Sequence, residues 1–214
     1  ELTYTLPEYQ TESGCTDIMM HTMERYFVLE DTMKITDGIA ETLMRNVMEN
    51  AKILLKEPEN YDARAEIMWC STLSHNDLTG CGTNGGDWAT HLIEHELGGL
   101  FDVAHGAGLA AVWGSWARYV MNEKPERFAQ FAENVMGIID QGDVKKTALA
   151  GIEAVEDFYR EIHMPTNLRE LGVEPTDEQI RDMAMKATGS DTVELGVFKK
   201  LKAEDLIQIY TAAR

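Results

Sequence analysis

The sequence predicts an all-α fold, a multi-helix bundle-like domain, on three observations. Apolar residues recur at helical spacing through roughly nine segments, Gly- and Pro-containing loops separate those segments, and no strand–helix–strand alternation interrupts them. With 214 residues, 44% of them apolar, the chain can bury a full core, and one domain spanning 1–214 is the expectation.

Leu2–Gln10, with Thr and Tyr alternating around Pro7, reads as an extended lead-in. From Thr16 the period is helical, and Ile18, Met19, Met23, Tyr26 and Phe27 trace an apolar stripe whose methionines suit core filling. Thr36-Asp37 can cap a long helix to about Lys56, with Ile39, Leu43, Val47, Ala51 and Leu54 on one face and Pro58 beyond its end. Tyr61–Leu73 is predicted as a third helix carrying Ile67, Met68 and Trp69. Gly80–Gly86 is a loop, and Asp87 is a plausible cap for the helix that follows. Gly98-Gly99, two poor helix formers, should interrupt that helix, and Asp102 can satisfy a turn or a helix start. His105–Met121 then forms an apolar helix with Leu109, Val112, Trp113 and Trp116, and the tryptophans read as core. Pro125 suits the first turn of a helix to about Ile138. Asp143 opens another, ending near His163-Met164-Pro165. Thr176 and Gln179 have capping-box spacing for a helix to about Lys186, and Lys202–Ala213 is a last amphipathic helix.

A net charge of −18 with no Lys/Arg block argues against nucleic acid or an anionic membrane as partner. Three cysteines, Cys15, Cys70 and Cys81, form no C-x-x-C pair, which suggests a reduced, cytoplasmic compartment. No segment reaches the roughly 18 apolar residues of a membrane span, and no signal peptide is expected before the first helix. A first residue of Glu1 rather than Met suggests a processed product, a trimmed chain or a domain cut from something longer.

Two stretches carry chemistry. In TDIMMHTMERY, Asp17 and His21 are four residues apart, which places carboxylate and imidazole on one helix face. In THLIEHELGGLFDVAHGAG, His91 and His105 stand fourteen residues apart. On one unbroken helix that gap is roughly 21 Å, whereas two ligands of one ion each lie about 2 Å from it. If both bind the same ion the chain must turn back, with His91 at the start of one helix and His105 at the start of the next. Asp17, His21, His91 and His105 would then form a three-nitrogen, one-oxygen shell able to hold a divalent transition metal with a position open for substrate. Spacing alone leaves that reading and ordinary structural histidines both open.

His95, four residues after His91, can face the same site without being a ligand. HLIEH also matches H-x-x-E-H, the inverzincin protease pattern, in which His91 and His95 bind zinc and Glu94 is the general base. That reading leaves Asp17, His21 and His105 unexplained. A helical module serving only binding or assembly is a third reading. Gly80–Gly85 satisfies G-x-G-x-x-G, but without a preceding strand or a βαβ unit it reads as a helix–helix connection. His75 and His163 have no spaced partner and read as surface or loop residues.

These residues resemble a known family. TDIMMHTMERYF is similar to the D-x-x-x-H segment, and GGDWATHLIEHELGGLFDVAHGAGLA to the H-x3-H-x9-H segment, of the iron-containing (group III) alcohol dehydrogenases. The branch resembled is that of the NAD(P)H-dependent butanol dehydrogenases and related aldehyde reductases, and FYREIHMPTNLRELGV with GVFKKLKAEDLIQIY extends the likeness across the chain. The resemblance implies metal ligands at Asp17, His21, His91 and His105, and a proton-relay or outer-sphere role for His95. It implies Fe²⁺, or Zn²⁺ in some members, acting as a Lewis acid on a small alcohol or aldehyde while hydride passes to or from the nicotinamide. The family's N-terminal α/β nucleotide-binding domain, with its Gly-Gly-Gly-Ser loop, has no counterpart here. NAD(P)H binding is therefore expected only with that domain supplied, residues binding the cofactor stay unknown, and a homodimer is among the compatible assemblies.

Overall fold

The helical periods close into ten α-helices in the computed structural model, which describes residues 1–31 and 33–214. They are α1 (Glu8–Tyr26), α2 (Lys34–Lys56), α3 (Tyr61–His75), α4 (Ala89–Phe101), α5 (His105–Val120), α6 (Pro125–Asn134), α7 (Val144–Glu161), α8 (Leu168–Leu171), α9 (Asp177–Ala187) and α10 (Ala203–Ala212). The one β-type pairing among the described residues is an isolated antiparallel bridge between Leu195 and Leu201. The fold is all-α, as the apolar spacing predicts.

Helix α5 is the hub. It packs against α1, α4, α7, α8 and α10, and its apolar run from Leu109 to Trp113 is buried. Its first turn crosses α1 so closely that a Cβ on Gly106 would lie 1.9 Å from the Ser13 carbonyl oxygen. Glycine is what permits that approach, and the approach sets His105 against the turn of α1 that carries Asp17.

A buried polar staple joins α1, α2 and α6. The Arg127 guanidinium donates to both Asp37 carboxylate oxygens at 2.7 Å and to the Tyr26 carbonyl at 2.8 Å, and it lies 3.8 Å from the Tyr26 ring centroid. The Tyr26 hydroxyl donates to Glu41 at 2.8 Å. Because Asp37 is committed to Arg127, it does not cap α2. That helix starts earlier, after Met33 and without a side-chain cap, and the Thr36 hydroxyl donates to the Cys81 carbonyl instead.

Other boundaries moved for local reasons. The lead-in is shorter than expected, because α1 begins at Glu8; Pro7 is the residue at its entry, and a carboxylate in the first turn suits the positive helix end. Helix α6 stops at Asn134, short of Ile138, and the single-turn α8 is too brief to show a period. Trp113 and Trp116 are buried, but Trp69 is 59% exposed and is not a core residue. The caps at Asp143 and Thr176 form as the sequence suggests: Asp143 accepts from the Lys145 and Lys146 amides, and Thr176 with Gln179 makes a capping box.

The reversal between His91 and His105 also differs from expectation. Gly98 and Gly99 lie inside α4, and the chain turns at Asp102, whose φ of 54° is left-handed and whose amide donates to the Gly98 carbonyl at 2.9 Å. Aspartate visits that conformation more readily than most residues. Gly98 serves another purpose. A Cβ there would lie 2.8 Å from Glu94 Oε1, and one on Gly108 only 2.6 Å from it. The two glycines leave a slot for a buried carboxylate between α4 and α5.

Candidate metal centre

Helix α1 presents Asp17 and His21 one turn apart. The loop before α4 lies across the same helix: the Asp87 amide donates to the Glu24 carbonyl at 2.8 Å. The Asp87 carboxylate accepts from the amides of Ala89, Val197 and Phe198. Asp87 thus anchors the start of α4, although Trp88, at φ 63°, occupies the cap position itself. His91 falls in the first turn of α4 and His105 opens α5, so two helix starts meet the side of a third helix.

The four side chains converge. Asp17 Oδ1 lies 3.6 Å from His21 Nε2, 3.5 Å from His91 Nε2 and 3.6 Å from His105 Nε2. These separations are too long for good hydrogen bonds, and Asp17 Oδ1 and His91 Nε2 are buried with no hydrogen-bond partner. Donors about 2 Å from a common centre at tetrahedral angles stand roughly 3.4 Å apart. Orphaned donors, this spacing and a three-nitrogen, one-oxygen set together fit a divalent transition ion. His105 is the most open of the four, with 38% of its side chain exposed against 6% for His91.

The donor atoms of Asp17, His21 and His91 group within 4.8 Å of one another, and so do those of Glu94, His95 and His105. His105 joins the two groups: its Nε2 lies 3.6 Å from Asp17 Oδ1, and its Nδ1 meets Glu94 Oε2. His95 is exposed, and its ring centroid lies 5.4 Å from that of His105 and 6.4 Å from that of His91. Glu94 is buried against His105, and His95 is not drawn in beside His91.

Electrostatics separate the imidazoles. Burial holds His21 down, to about 3, and the neighbouring His91, His75 and Arg25 add to this against the pull of Asp17. Burial also acts to lower His91, but the carboxylates of Asp17 and Glu24 reverse it and push the ring up to about 9. Asp17 would be raised by burial, yet the surrounding imidazoles bring it below the usual carboxylate range. The His91 value lies above an ordinary imidazole near 6.5, so its stabilising contribution is complete below about pH 6.5 and is lost as pH rises through about 9. Chelator-treated protein should therefore lose roughly 3 kcal/mol of unfolding free energy across that window. Glu12, raised to about 8 chiefly by burial, adds a loss of the same sign that begins lower, near the ordinary 4.5, and ends near pH 8, so it overlaps only the lower part of that window. Urea denaturation of Glu12→Gln at several pH values isolates the His91 share, and a flat profile would contradict it.

Spacing missed several neighbours. Glu24, three residues after His21 on the same face of α1, accepts from the His91 amide at 3.0 Å and contacts His91 Nδ1 at 3.2 Å. The i, i+4, i+7 series Asp17, His21, Glu24 is the signal that could have found it. His75, read as a lone surface residue, has its ring centroid 3.9 Å from that of His21. It is brought there by Arg25, which donates to the carbonyls of His21 and Ser74 and so ties α1 to the end of α3. Trp88 forms a wall beside His21 and His91, with ring centroids 5.3 and 5.2 Å away. Phe101 packs against the core. The G-x-G-x-x-G loop joins α3 to α4 with no strand on either side. A groove of about 820 Å³ between α2 and α3 shares no residue with the histidine cluster.

Residues 11–214 match the model of the Fe-containing alcohol dehydrogenase family, C-terminal. The chain is 33% identical over 209 residues to NADH-dependent butanol dehydrogenase A of Clostridium acetobutylicum, covering 97% of this chain and 53% of that protein. It is 34% identical over 212 residues to the NADPH-dependent aldehyde reductase YqhD of Escherichia coli, covering 99% and 54%. The substrate- and cofactor-free structure of that reductase superposes with a TM-score of 0.92 at 33% identity, over 99% of this chain and 55% of that one. The NADH-dependent butanol dehydrogenase A of Thermotoga maritima gives 0.90 at 33% identity, over 98% and 53%. The chain spans about half the length of the curated relatives it matches.

Proposed function

The chain belongs to the iron-containing alcohol dehydrogenase family, as its C-terminal part, and on that premise we propose that it is the metal-bearing half of an NAD(P)H-dependent enzyme interconverting small alcohols and aldehydes. Asp17, His21, His91 and His105 hold one divalent ion, with Fe²⁺ the first candidate and Zn²⁺ the second. The observation that carries this reading is the single oxygen, Asp17 Oδ1, standing 3.5–3.6 Å from three imidazole Nε2 atoms.

The ion, when bound, supplies Lewis-acid polarisation of a substrate oxygen, and a nicotinamide held by a separate nucleotide-binding domain supplies or accepts the hydride. The protein's own residues do the rest. Asp17 offsets part of the ionic charge, and the three rings bind through neutral Nε2. The site opens on the side of His105, the most exposed of the four, so substrate enters there. His95 stands beside that opening, in solvent contact, where its imidazole can carry a proton between the substrate oxygen and water. Trp88 closes the wall next to His21 and His91.

Partners on this reading are the nucleotide-binding domain and a second copy of the chain. Among the described residues no helix is long and apolar enough to cross a membrane, and Cys15, Cys70 and Cys81 are all free, as a cytoplasmic location would require.

Metal analysis and activity of the purified chain test the proposal. One equivalent of Fe²⁺ or Zn²⁺ with negligible NAD(P)H-dependent aldehyde reduction is expected, because hydride transfer needs the two reacting carbons within about 3–3.5 Å. Robust reduction by the chain alone would overturn the need for a second domain. Failure to retain either ion would favour the purely assembling module.

A further inference from the structure

We infer that Glu24 and Glu94 are positioning residues of the metal centre, each fixing one histidine so that its Nε2 faces the ion. The inference rests on the metal-binding reading above. Glu24 Oε1 accepts from the His91 amide at 3.0 Å and meets His91 Nδ1 at 3.2 Å. Glu94 Oε2 meets His105 Nδ1. In both rings the carboxylate occupies Nδ1, and the other nitrogen is the one turned to Asp17. A carboxylate at Nδ1 keeps the proton there, leaves the Nε2 lone pair free for a cation and strengthens it as a donor.

The surroundings of these two side chains support the assignment. Glu24 is 2% exposed and Glu94 1%, and in the described residues each has an imidazole as its ion-pair partner and no lysine or arginine. A carboxylate buried so deeply needs compensating positive charge, and a dication behind the two imidazoles supplies it. The fold also makes room for them. Gly98 and Gly108 form the slot for Glu94, and Glu24 reaches from α1 to take one of the unpaired first-turn amides of α4, whose cap residue offers no side-chain acceptor. The pairing is crossed. Each glutamate lies three residues after one site histidine but serves the histidine of a different helix. His21 is held differently: its Nδ1 has no hydrogen-bond partner, and its ring centroid lies 3.9 Å from that of His75 and 5.3 Å from that of Trp88.

The test is Co²⁺ affinity, by chelator competition, with the Co²⁺ visible absorption spectrum, for the parent chain and for Glu24→Gln, Glu24→Ala, Glu94→Gln and Glu94→Ala. The alanine variants should bind Co²⁺ about 10–100-fold more weakly with altered spectra. The glutamine variants keep the volume and a hydrogen-bond acceptor but lose the charge, and should recover part of that affinity. A role limited to helix stability would lower the melting temperature of the metal-free protein and leave affinity and spectrum at parental values. That result in the folded variants, glutamine or alanine, overturns the inference while the metal site stands. A parent chain that binds no Co²⁺ overturns both.

Discussion

His105→Ala is expected to leave the folded chain without stoichiometric metal, whereas His95→Ala should bind metal as the parent does. His105 Nε2 lies 3.6 Å from the oxygen that also faces His21 and His91, whereas the His95 ring centroid is 6.4 Å from that of His91, against 4.5 Å for His21. Four-ligand zinc sites bind with apparent free energies of about 10–16 kcal/mol. An equal share per ligand is about 2.5–4 kcal/mol, which corresponds to roughly a hundredfold to a thousandfold in dissociation constant. Removing one ring also leaves the Glu94 carboxylate buried without its partner, so the apo form is penalised as well. Metal content after desalting, with circular dichroism to establish folding, checks both variants. Intact binding in His105→Ala with loss in His95→Ala would revive the H-x-x-E-H assignment. With the nucleotide-binding domain supplied, His95→Ala should lower kcat by about 10²–10⁴-fold if its imidazole relays the proton.

Gly106→Ala should destabilise the chain by about 3 kcal/mol or more, at the upper end of what overpacking a rigid contact costs. The added methyl would meet a backbone oxygen, the Ser13 carbonyl, at 1.9 Å, and a carbonyl inside a helix has no rotamer with which to move aside. Relief requires α5 to lift from α1, which carries His105 away from Asp17. Weaker metal binding should therefore accompany the lost stability. Gly99→Ala is the contrasting case. Nothing lies within 4 Å of its added Cβ, and helix propensity favours alanine by about 0.8–1 kcal/mol, so this variant should be neutral or slightly stabilised. Urea denaturation of the pair distinguishes close approach from generic helix weakening. Equal effects would mean that the α1–α5 contact is softer than drawn.

Both glycines sit in helices and look alike in the sequence, which illustrates where sequence reading stops. The periodicity around Ile18–Phe27, Ile39–Leu54 and Leu109–Trp116 identified the helices because it depends on neighbours within one or two turns. Asp143 and Thr176 were legible as caps because a cap is satisfied within three residues. Asp37 misled for the opposite reason. Its carboxylate had a cap-like setting locally, yet a guanidinium 90 residues away in sequence claimed it. Gly98-Gly99 misled too, since neither makes the turn: Gly98 leaves space for Glu94, and a Cβ on Gly99 would meet nothing within 4 Å.

The sequence by itself determined the all-α class and the donor types, and it singled out the two stretches with a reversal between His91 and His105. Those follow from residue chemistry and from distances along one helix. Only the tertiary structure decided that α4 runs unbroken through Gly98-Gly99 to Phe101, that His75 comes to rest on His21, and that Glu24 serves His91 across 67 residues while Glu94 serves His105 across 11. The physical reason is that helical periodicity assigns each side chain to a face. Which faces meet depends on how closely α1, α4 and α5 can approach, and the absence of a Cβ at Gly106 and Gly108 is what allows α5 to close on α1 and on the Glu94 side chain of α4.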